Sequence, residues 1–275
     1  MSAGIHKTAV VSPKARLGKN VEVGPYAVIH DDVEIGDHTV IGAHVVVDRW
    51  TTIGKRNEIF TGAVIGSQSQ DLKYKGARTH CVIGDSNVIR EYVTINRATV
   101  PDARTVIGNH NAILAYCHVA HDCLLGNHIT ISNVTTLAGH VRVDDRAGLG
   151  GYVGVHQFCH IGTLAYVGGW SKVVKDVPPY MRTSGAPLRV YGLNSVGLDR
   201  AEVSVANRRA LRKAYNLLYR SNNNVSQAIE LIRAEVETCD EIEALLGFLA
   251  GSGRGICKNT DGTGDDEPDS PDDGQ

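Results

Sequence analysis

The 275-residue chain is predicted to be an all-β solenoid of six-residue repeats with a C-terminal α-helical cap. Three observations predict this. An aliphatic residue recurs at every sixth position from Ile5 to Val173, glycine follows many of these aliphatics, and the spacing turns helical from Val190 onward. Of the 29 positions in that six-residue series, 26 are Ile, Leu or Val, the exceptions being Asp71, Ala77 and Pro101. Chance would supply about six at average composition. Neither a helix of period 3.6 nor a flat strand of period 2 produces such a repeat.

Each part of the hexad has a reading. The aliphatic points inward. Two positions earlier stands a small or β-branched residue, as at Ala27, Val33, Thr39, Val45, Ala147 and Ala165. Glycine after the aliphatic, as at Gly18, Gly36 and Gly54, is expected to supply backbone freedom at a corner. Cys81, Cys117, Cys123 and Cys159 share the small inward phase and read as packing residues, and with Cys239 and Cys257 outside the repeat no zinc-like spacing remains. A reducing compartment is expected.

Two segments break the repeat and are expected to bulge as loops, 67–80 around Asp71 and Ala77, and 96–105 around Pro101. Beyond "KDVPPYMRTSGAP", Ser204 reads as the N-cap of a helix with an apolar face through Val205, Leu211, Tyr215 and Leu218, and two shorter helices follow. This cap carries Arg200, Arg208, Arg209, Arg212, Lys213 and Arg220, either a solvated face or a dock for an acidic protein. The expected organisation is a β-helix over 1–187, a helical cap over 188–251 and a disordered acidic tail over 252–275. Seven acidic residues and no basic one fall in 259–275, so the net charge of −2 hides a body, residues 1–258, at +5. The start lacks a basic segment followed by an apolar run, and no apolar stretch of about 18 residues occurs. A soluble cytoplasmic protein is expected, with no membrane insertion and no nucleic-acid partner.

Polar groups gather in "ILAYCHVAHDCLLG", Ile113 to Gly126. Val119, Cys117 and Cys123 hold the inward phases, so His118, His121 and Asp122 face outward or lie at corners. In 18-residue coils, residues n and n+18 are neighbours about 4.8 Å apart. That places His121 on Gly139 and then Gln157, and Asp122 on His140, with His156 beside the column. Asn133, Gly151 and Gly169 form a second column. A ladder of His, Asp and Gln beside a glycine is a candidate reactive groove.

The hexapeptide pattern resembles the left-handed parallel β-helix of hexapeptide-repeat acyltransferases, a handedness opposite to the usual crossover rule. The resemblance sharpens with "QDLKY" (Gln70–Tyr74), "HVAHDC" (His118–Cys123), "NVTTLAGH" (Asn133–His140), "VHQF" (Val155–Phe158), "VGG" (Val167–Gly169), "DVPPY" (Asp176–Tyr180) and "GLN" followed by "GLDR". Together these are similar to the acyl-[acyl carrier protein]:UDP-N-acetylglucosamine O-acyltransferase family that begins lipid A synthesis.

The resemblance implies direct transfer of a 3-hydroxyacyl group from acyl carrier protein to the sugar 3-hydroxyl of UDP-N-acetylglucosamine, in a homotrimer with sites between solenoids, and it implies no cofactor and no metal. By position it makes His121 the general base, Asp122 its partner, and the Gly139 N–H the oxyanion donor. It places Asp71, Lys73, His118, His140, His156, Gln157, Asn194 and Arg200 around the sugar nucleotide, and Asn133, Gly151 and Gly169 along the acyl groove. Departures stand at Val196, where the family often has Glu, at Ala201, where it has a second Arg, and at Pro187 and Tyr166 near the chain-length end. Uracil contacts and acyl length are therefore left open. Two other classes remain: a zinc lyase of the carbonic anhydrase kind with His118 and His121 as ligands, for which the QDLKY loop has no use, and a non-catalytic scaffold, which has no need of the ladder.

Overall fold

A computed structural model describes residues 4–259. Most strands are two residues long, such as Glu22–Val23 and Thr136–Leu137, with the second residue buried. They form three parallel sheets. The first runs from Val10–Val11 through His118–Val119 to Lys172–Val173, and the second from Arg16–Leu17 through Leu124–Leu125 to His160–Ile161. The third runs from Glu22–Val23 through Thr130–Ile131 and Tyr166–Val167 into the hairpin of Met181–Ser184 and Arg189–Leu193. Successive hexads visit the sheets in turn, so the chain winds as the three-sided prism of a left-handed parallel β-helix. Three corners result: the first joins the first and second sheets, the second joins the second and third, and the third returns to the first.

Register is set by an interior of stacked aliphatics. Ile29, Ile41, Ile113, Ile131 and Leu137 are at most 1% exposed. Coils pair 18 residues apart, as His118 with Thr136, Leu124 with Arg142 and Thr130 with Gly148. Insertions lengthen the coil where Ile65 pairs with Ile95 and Ile95 with Val119, and near the C-terminal end it shortens to 16 residues, as Tyr166 with Arg182. Both insertions leave from the first corner. Flanking strands end at Ser67 and Asn96 and resume at His80 and Arg104, so the loops are 68–79 and 97–103, slightly shorter than expected. The second does not simply bulge. Arg97, Ala98 and Thr99 are buried, and the Arg97 guanidinium pairs with Asp48 at 2.8 Å and donates to the Tyr74 hydroxyl of the first loop at 3.2 Å.

The glycines have a different reason from the one expected. Apart from Gly66, those after the aliphatics have ordinary φ; the left-handed position falls three residues after the aliphatic and holds Asn20, Asp122, His140 and Phe158, with φ of +54 to +64. What excludes a side chain after the aliphatic is the next coil. A Cβ on Gly36 would lie 2.7 Å from the carbonyl carbon and oxygen of Gly54.

The inward small positions contain a feature the hexad rule overlooked, a column of buried asparagines. The Asn87 amide donates to Asn57 Oδ1 and to the Gly108 carbonyl, both at 3.0 Å, and its oxygen accepts the Asn111 N–H at 2.9 Å. Each coil end is thereby tied to the next with no orphaned amide. The four repeat cysteines are buried, and all six cysteines are free thiols. Burial pushes Cys81, Cys123 and Cys159 up to about 12, so they stay protonated.

Helices α1 (Ser195–Arg200), α2 (Val205–Tyr219), α3 (Val225–Glu235) and α4 (Asp240–Gly251) cover the end of the prism. Ser204 caps α2, its hydroxyl accepting the Asn207 N–H at 3.1 Å, and Leu211, Tyr215 and Leu218 are buried; Val205, expected on the same face, is 60% exposed. Val205 is the first helical residue and precedes the turns that pack, which begin at Leu211. Of these basic residues Arg208 pairs with Asp199 at 3.0 Å and Lys213 with Glu235 at 3.6 Å. The disorder expected from 252 does not begin there. The Ser252 hydroxyl donates to Asp176 at 2.6 Å, Arg254 donates to the Val174 carbonyl at 3.1 Å, Cys257 is buried and Lys258–Asn259 pairs with Arg189–Val190. The rest of the acidic tail, 260–275, lies outside the described residues. Among the described residues no helix is long and apolar enough to cross a membrane.

The crowding argument separates two glycines. Gly154 has nothing within 4 Å of a built Cβ and an ordinary φ. Gly154→Ala is expected to be neutral or stabilising by up to about 1 kcal/mol. Gly36→Ala is expected to destabilise by about 1–3 kcal/mol. Denaturant melts of the two variants check this, and equal shifts would reject crowding as the reason for the glycines.

Candidate active site

His121 and Asp122 sit side by side at the first corner, and the left-handed backbone of Asp122 (φ +60) folds its side chain back toward the preceding residue. Aspartate tolerates this conformation well. His121 Nδ1–H donates to Asp122 Oδ2 at 2.9 Å, and the same oxygen accepts the Thr99 N–H at 3.1 Å. The Asp122 N–H is held by Thr105 Oγ1 at 2.8 Å. Both side chains are largely shielded, at 14% and 9% exposure. A carboxylate on Nδ1 selects the tautomer with the proton there, which leaves Nε2 as the ring's acceptor.

Gly139, one coil on, makes room for that ring. A Cβ there would lie 2.4 Å from His121 Cε1, so any side chain would push the imidazole aside. The Gly139 N–H donates to no acceptor among the described residues, and Gln157 follows in the same column. His140 stands edge-on to His121, with centroids 5.4 Å apart, and stacks on Phe158 at 4.6 Å. Its Nε2 is 3.8 Å from Asp122 Oδ2. Burial alone would raise the Asp122 carboxyl, but hydrogen bonds from His121 and Thr99 and the nearby His140 outweigh it and hold the group below its ordinary value.

Four more expected residues join this corner. His118 projects from the adjacent strand, with Nδ1 2.7 Å from Thr94 Oγ1, and burial, helped by His121, lowers its pKa and keeps it neutral. His156 Nδ1 donates to the Gln157 carbonyl at 3.2 Å. Asp71 and Lys73 lie in the 68–79 loop at the same corner, where Asp71 Oδ1 accepts the Lys73 N–H at 2.8 Å. A relay joins that loop to the histidine: the Asp71 N–H donates to Ser69 Oγ at 3.2 Å, Ser69 bonds Thr99 Oγ1 at 2.7 Å, and Thr99 donates to Asp122. Sequence reading missed Ser69, Thr94, Thr99 and Thr105. The inserts shift the register here, so the 18-residue rule pairs His118 with the wrong residue.

The other expected residues lie elsewhere in the protomer. Asn133, Gly151 and Gly169 stack at the third corner, where a Cβ on Gly151 would be 3.2 Å from the Asn133 carbonyl and one on Gly169 3.1 Å from that of Gly151. Asn194 and Arg200 line a cavity of about 570 Å³ against the third sheet, together with Val196 and Ala201. The Asn194 side chain is committed within the fold: Oδ1 accepts the Gly197 N–H at 3.0 Å, capping α1, and Nδ2 donates to the Leu164 carbonyl at 2.8 Å. The first corner is the prism edge opposite the third sheet, so one protomer does not assemble these groups. This cavity is therefore apart from the titratable cluster, and the polar geometry identifies the chemistry better than the concavity does.

His121, Asp122 and His140 offer ligand atoms all within 4.8 Å of one another, a spacing that suits a divalent cation. His118, the residue imagined as a second zinc ligand, is not in that group.

Comparisons with known proteins follow the geometry. The family model for UDP N-acetylglucosamine O-acyltransferase, domain 2, matches residues 176–257, and that for the bacterial transferase hexapeptide (six repeats) matches 14–49. An acyl-[acyl-carrier-protein]–UDP-N-acetylglucosamine O-acyltransferase of Syntrophobacter fumaroxidans is 47% identical over 98 residues, a stretch covering 35% of this chain and 38% of that protein. The alignment with this curated relative thus spans little more than a third of its length. Structural similarity is longer. LpxA from Acinetobacter baumannii superposes with a TM-score of 0.90 at 41% identity, over 92% of this chain and 99% of that one. LpxA from Bacteroides fragilis, a UDP-N-acetylglucosamine acyltransferase, gives 0.91 at 40% identity with the same coverage.

Asp122 has a measurable pH signature. Its carboxyl is held below the ordinary value of 3.8, so its stabilising contribution is complete above that pH and is lost as pH falls through the depressed value. Wild type is expected to exceed Asp122→Asn in stability at pH 7, with the gap closing only below about pH 4. Paired denaturant melts across pH check this, and a pH-independent gap would show that the charge of Asp122 carries none of the stabilisation.

Proposed function

The chain belongs to the acyl-[acyl-carrier-protein]–UDP-N-acetylglucosamine O-acyltransferase family, and from that premise we propose that it transfers a 3-hydroxyacyl chain from acyl carrier protein to the 3-position of UDP-N-acetylglucosamine, the first step of lipid A biosynthesis. The observation that carries the mechanism is the shielded His121–Asp122 pair, with Nε2 left as acceptor over a glycine.

In this reading His121 Nε2 takes the proton of the sugar 3-hydroxyl as its oxygen attacks the thioester carbonyl. Asp122 holds the ring and balances the imidazolium. Negative charge gathers on the carbonyl oxygen, to which the unengaged Gly139 N–H would donate. As the tetrahedral species collapses, the C–S bond breaks, the ester C–O bond remains, and the imidazolium returns its proton to the departing thiolate. No enzyme-bound acyl group forms, which agrees with repeat thiols that burial keeps protonated.

A homotrimer supports this chemistry because it supplies what one protomer lacks. When the third sheet of one copy faces the first corner of the next, the Asn194 and Arg200 cavity meets His121, and the Asn133, Gly151 and Gly169 column lies alongside. The exposed Arg209 and Arg212 of α2 offer positive charge to an acidic carrier protein.

His121→Ala is expected to lower turnover by about 10² to 10⁴ while leaving the assembly folded, since the residue lies outside the core. Mass spectrometry of products from UDP-N-acetylglucosamine and a panel of carrier-protein thioesters reads this; a variant with half the wild-type rate refutes the base. Stoichiometric zinc in active protein would overturn the metal-free mechanism. Sharing between copies has its own test. Co-expressed His121→Ala and Arg200→Ala chains, each impaired alone, should recover about a quarter of wild-type activity through mixed trimers in which one intact site forms. No recovery would place the whole site within one protomer.

A further inference from the structure

The group of His121, Asp122 and His140 carries more ligand atoms than the proton transfer uses. His121 Nδ1 lies 2.9 Å and His140 Nε2 3.8 Å from Asp122 Oδ2, and the ligand atoms of the three residues lie within 4.8 Å of one another. On a tetrahedral zinc, with bonds of about 2.0–2.2 Å, ligand atoms stand roughly 3.3 Å apart. One edge of the triangle is shorter than that and another longer, so a small turn of the His140 ring completes the set. That ring is 37% exposed, which leaves a fourth position open to water.

The surroundings already hold these ligands in place. Asp122 Oδ2 accepts the Thr99 N–H at 3.1 Å, Thr105 Oγ1 accepts the Asp122 N–H at 2.8 Å, and the His140 ring stacks on Phe158 at 4.6 Å. Outer contacts of this kind orient metal ligands and tune their affinity. Another histidine pair lacks such a setting. His110 and His128 stack face to face at 4.9 Å, and among the described residues no carboxylate joins them in a ligand group.

We infer that this corner is an inhibitory site for a borderline divalent cation such as Zn²⁺, with His121 Nδ1, Asp122 Oδ2 and His140 Nε2 as its ligands. Two imidazoles and one carboxylate suit Zn²⁺ and not Mg²⁺, which seeks an oxygen shell. A cation on Nδ1 takes the position where the ring proton resides in the free chain, and that proton moves to Nε2. The nitrogen meant for the sugar hydroxyl then becomes a donor and accepts no proton, so transfer stops until the cation leaves. The inhibition rests on the transfer reaction proposed above; the binding does not.

The test uses the full chain, stripped with a chelator and titrated calorimetrically with ZnCl₂ and MgCl₂, beside steady-state transfer. One Zn²⁺ per chain should bind and Mg²⁺ should not. The loss of rate should follow Zn²⁺ occupancy and reverse with EDTA. His140→Gln and Asp122→Asn should each weaken Zn²⁺ binding at least about tenfold, since even outer contacts contribute that much. His110→Gln should bind Zn²⁺ as wild type does. Zn²⁺ should raise the melting temperature of wild type and not that of His140→Gln, and the same melts show whether the variants fold. Absent Zn²⁺ binding, equal binding of Mg²⁺, binding that survives both ligand variants or is lost in His110→Gln, or full activity with the site loaded would each overturn the inference. If the stripped chain transfers nothing, the reaction reading fails, and the titrations alone decide the site: weakened binding in both ligand variants supports it, unchanged or absent binding overturns it.

Discussion

Coils packed at the spacing of paired strands are the constraint on which the rest depends. Each backbone rung must fall on the one before, and at the corners where glycine follows the inward aliphatic nothing larger than hydrogen fits, as at Gly36 over Gly54. That packing converts sequence spacing into spatial columns. His121 over Gly139, Asp122 beside His140, and Asn133 beneath Gly151 and Gly169 all follow from it. The same rigidity serves chemistry, since a ring held by a carboxylate on one side and a glycine on the other loses little freedom when substrate arrives.

The insertions are where the prism departs from its period, and both departures converge on the catalytic corner. Thr99 of the second loop donates to the Asp122 oxygen that orients His121, and Ser69 of the first loop braces Thr99. Arg97 anchors the pair of loops to Asp48 and Tyr74. The corner is thus built from a regular scaffold that fixes where His121 stands and an irregular buttress that fixes how Asp122 points.

Much of this was legible in the sequence because a strict period needs no folding calculation. The solenoid, the outward placement of His121 and Asp122, the two columns and the packing role of the four repeat cysteines follow from counting. The glycine rationale did not, because composition does not distinguish a residue chosen for φ from one chosen for lack of a Cβ. The asparagine column was hidden among small inward residues, since its logic is hydrogen bonding between coils. Thr94 and Thr99 were out of reach because the inserts alter the register. The scatter of Asn194, Arg200 and the glycine column across faces needed coordinates, since their members come from separate stretches of chain.

The two ends of the prism are finished differently. Helices cover the C-terminal coils, where His160 packs at 4.4 Å on Phe248 and Ser252 ties down Asp176, whereas Ile5 and Val10 at the other end are 54% and 63% exposed. A solenoid contacts only its nearest neighbours along the axis, so local opening propagates like a zipper from whichever end is less secured. Fraying from the first coils would then stall at the two-loop buttress before it reaches the histidine rungs, making amide exchange a graded clock along the axis and leaving chemistry in coils that forget their structure late.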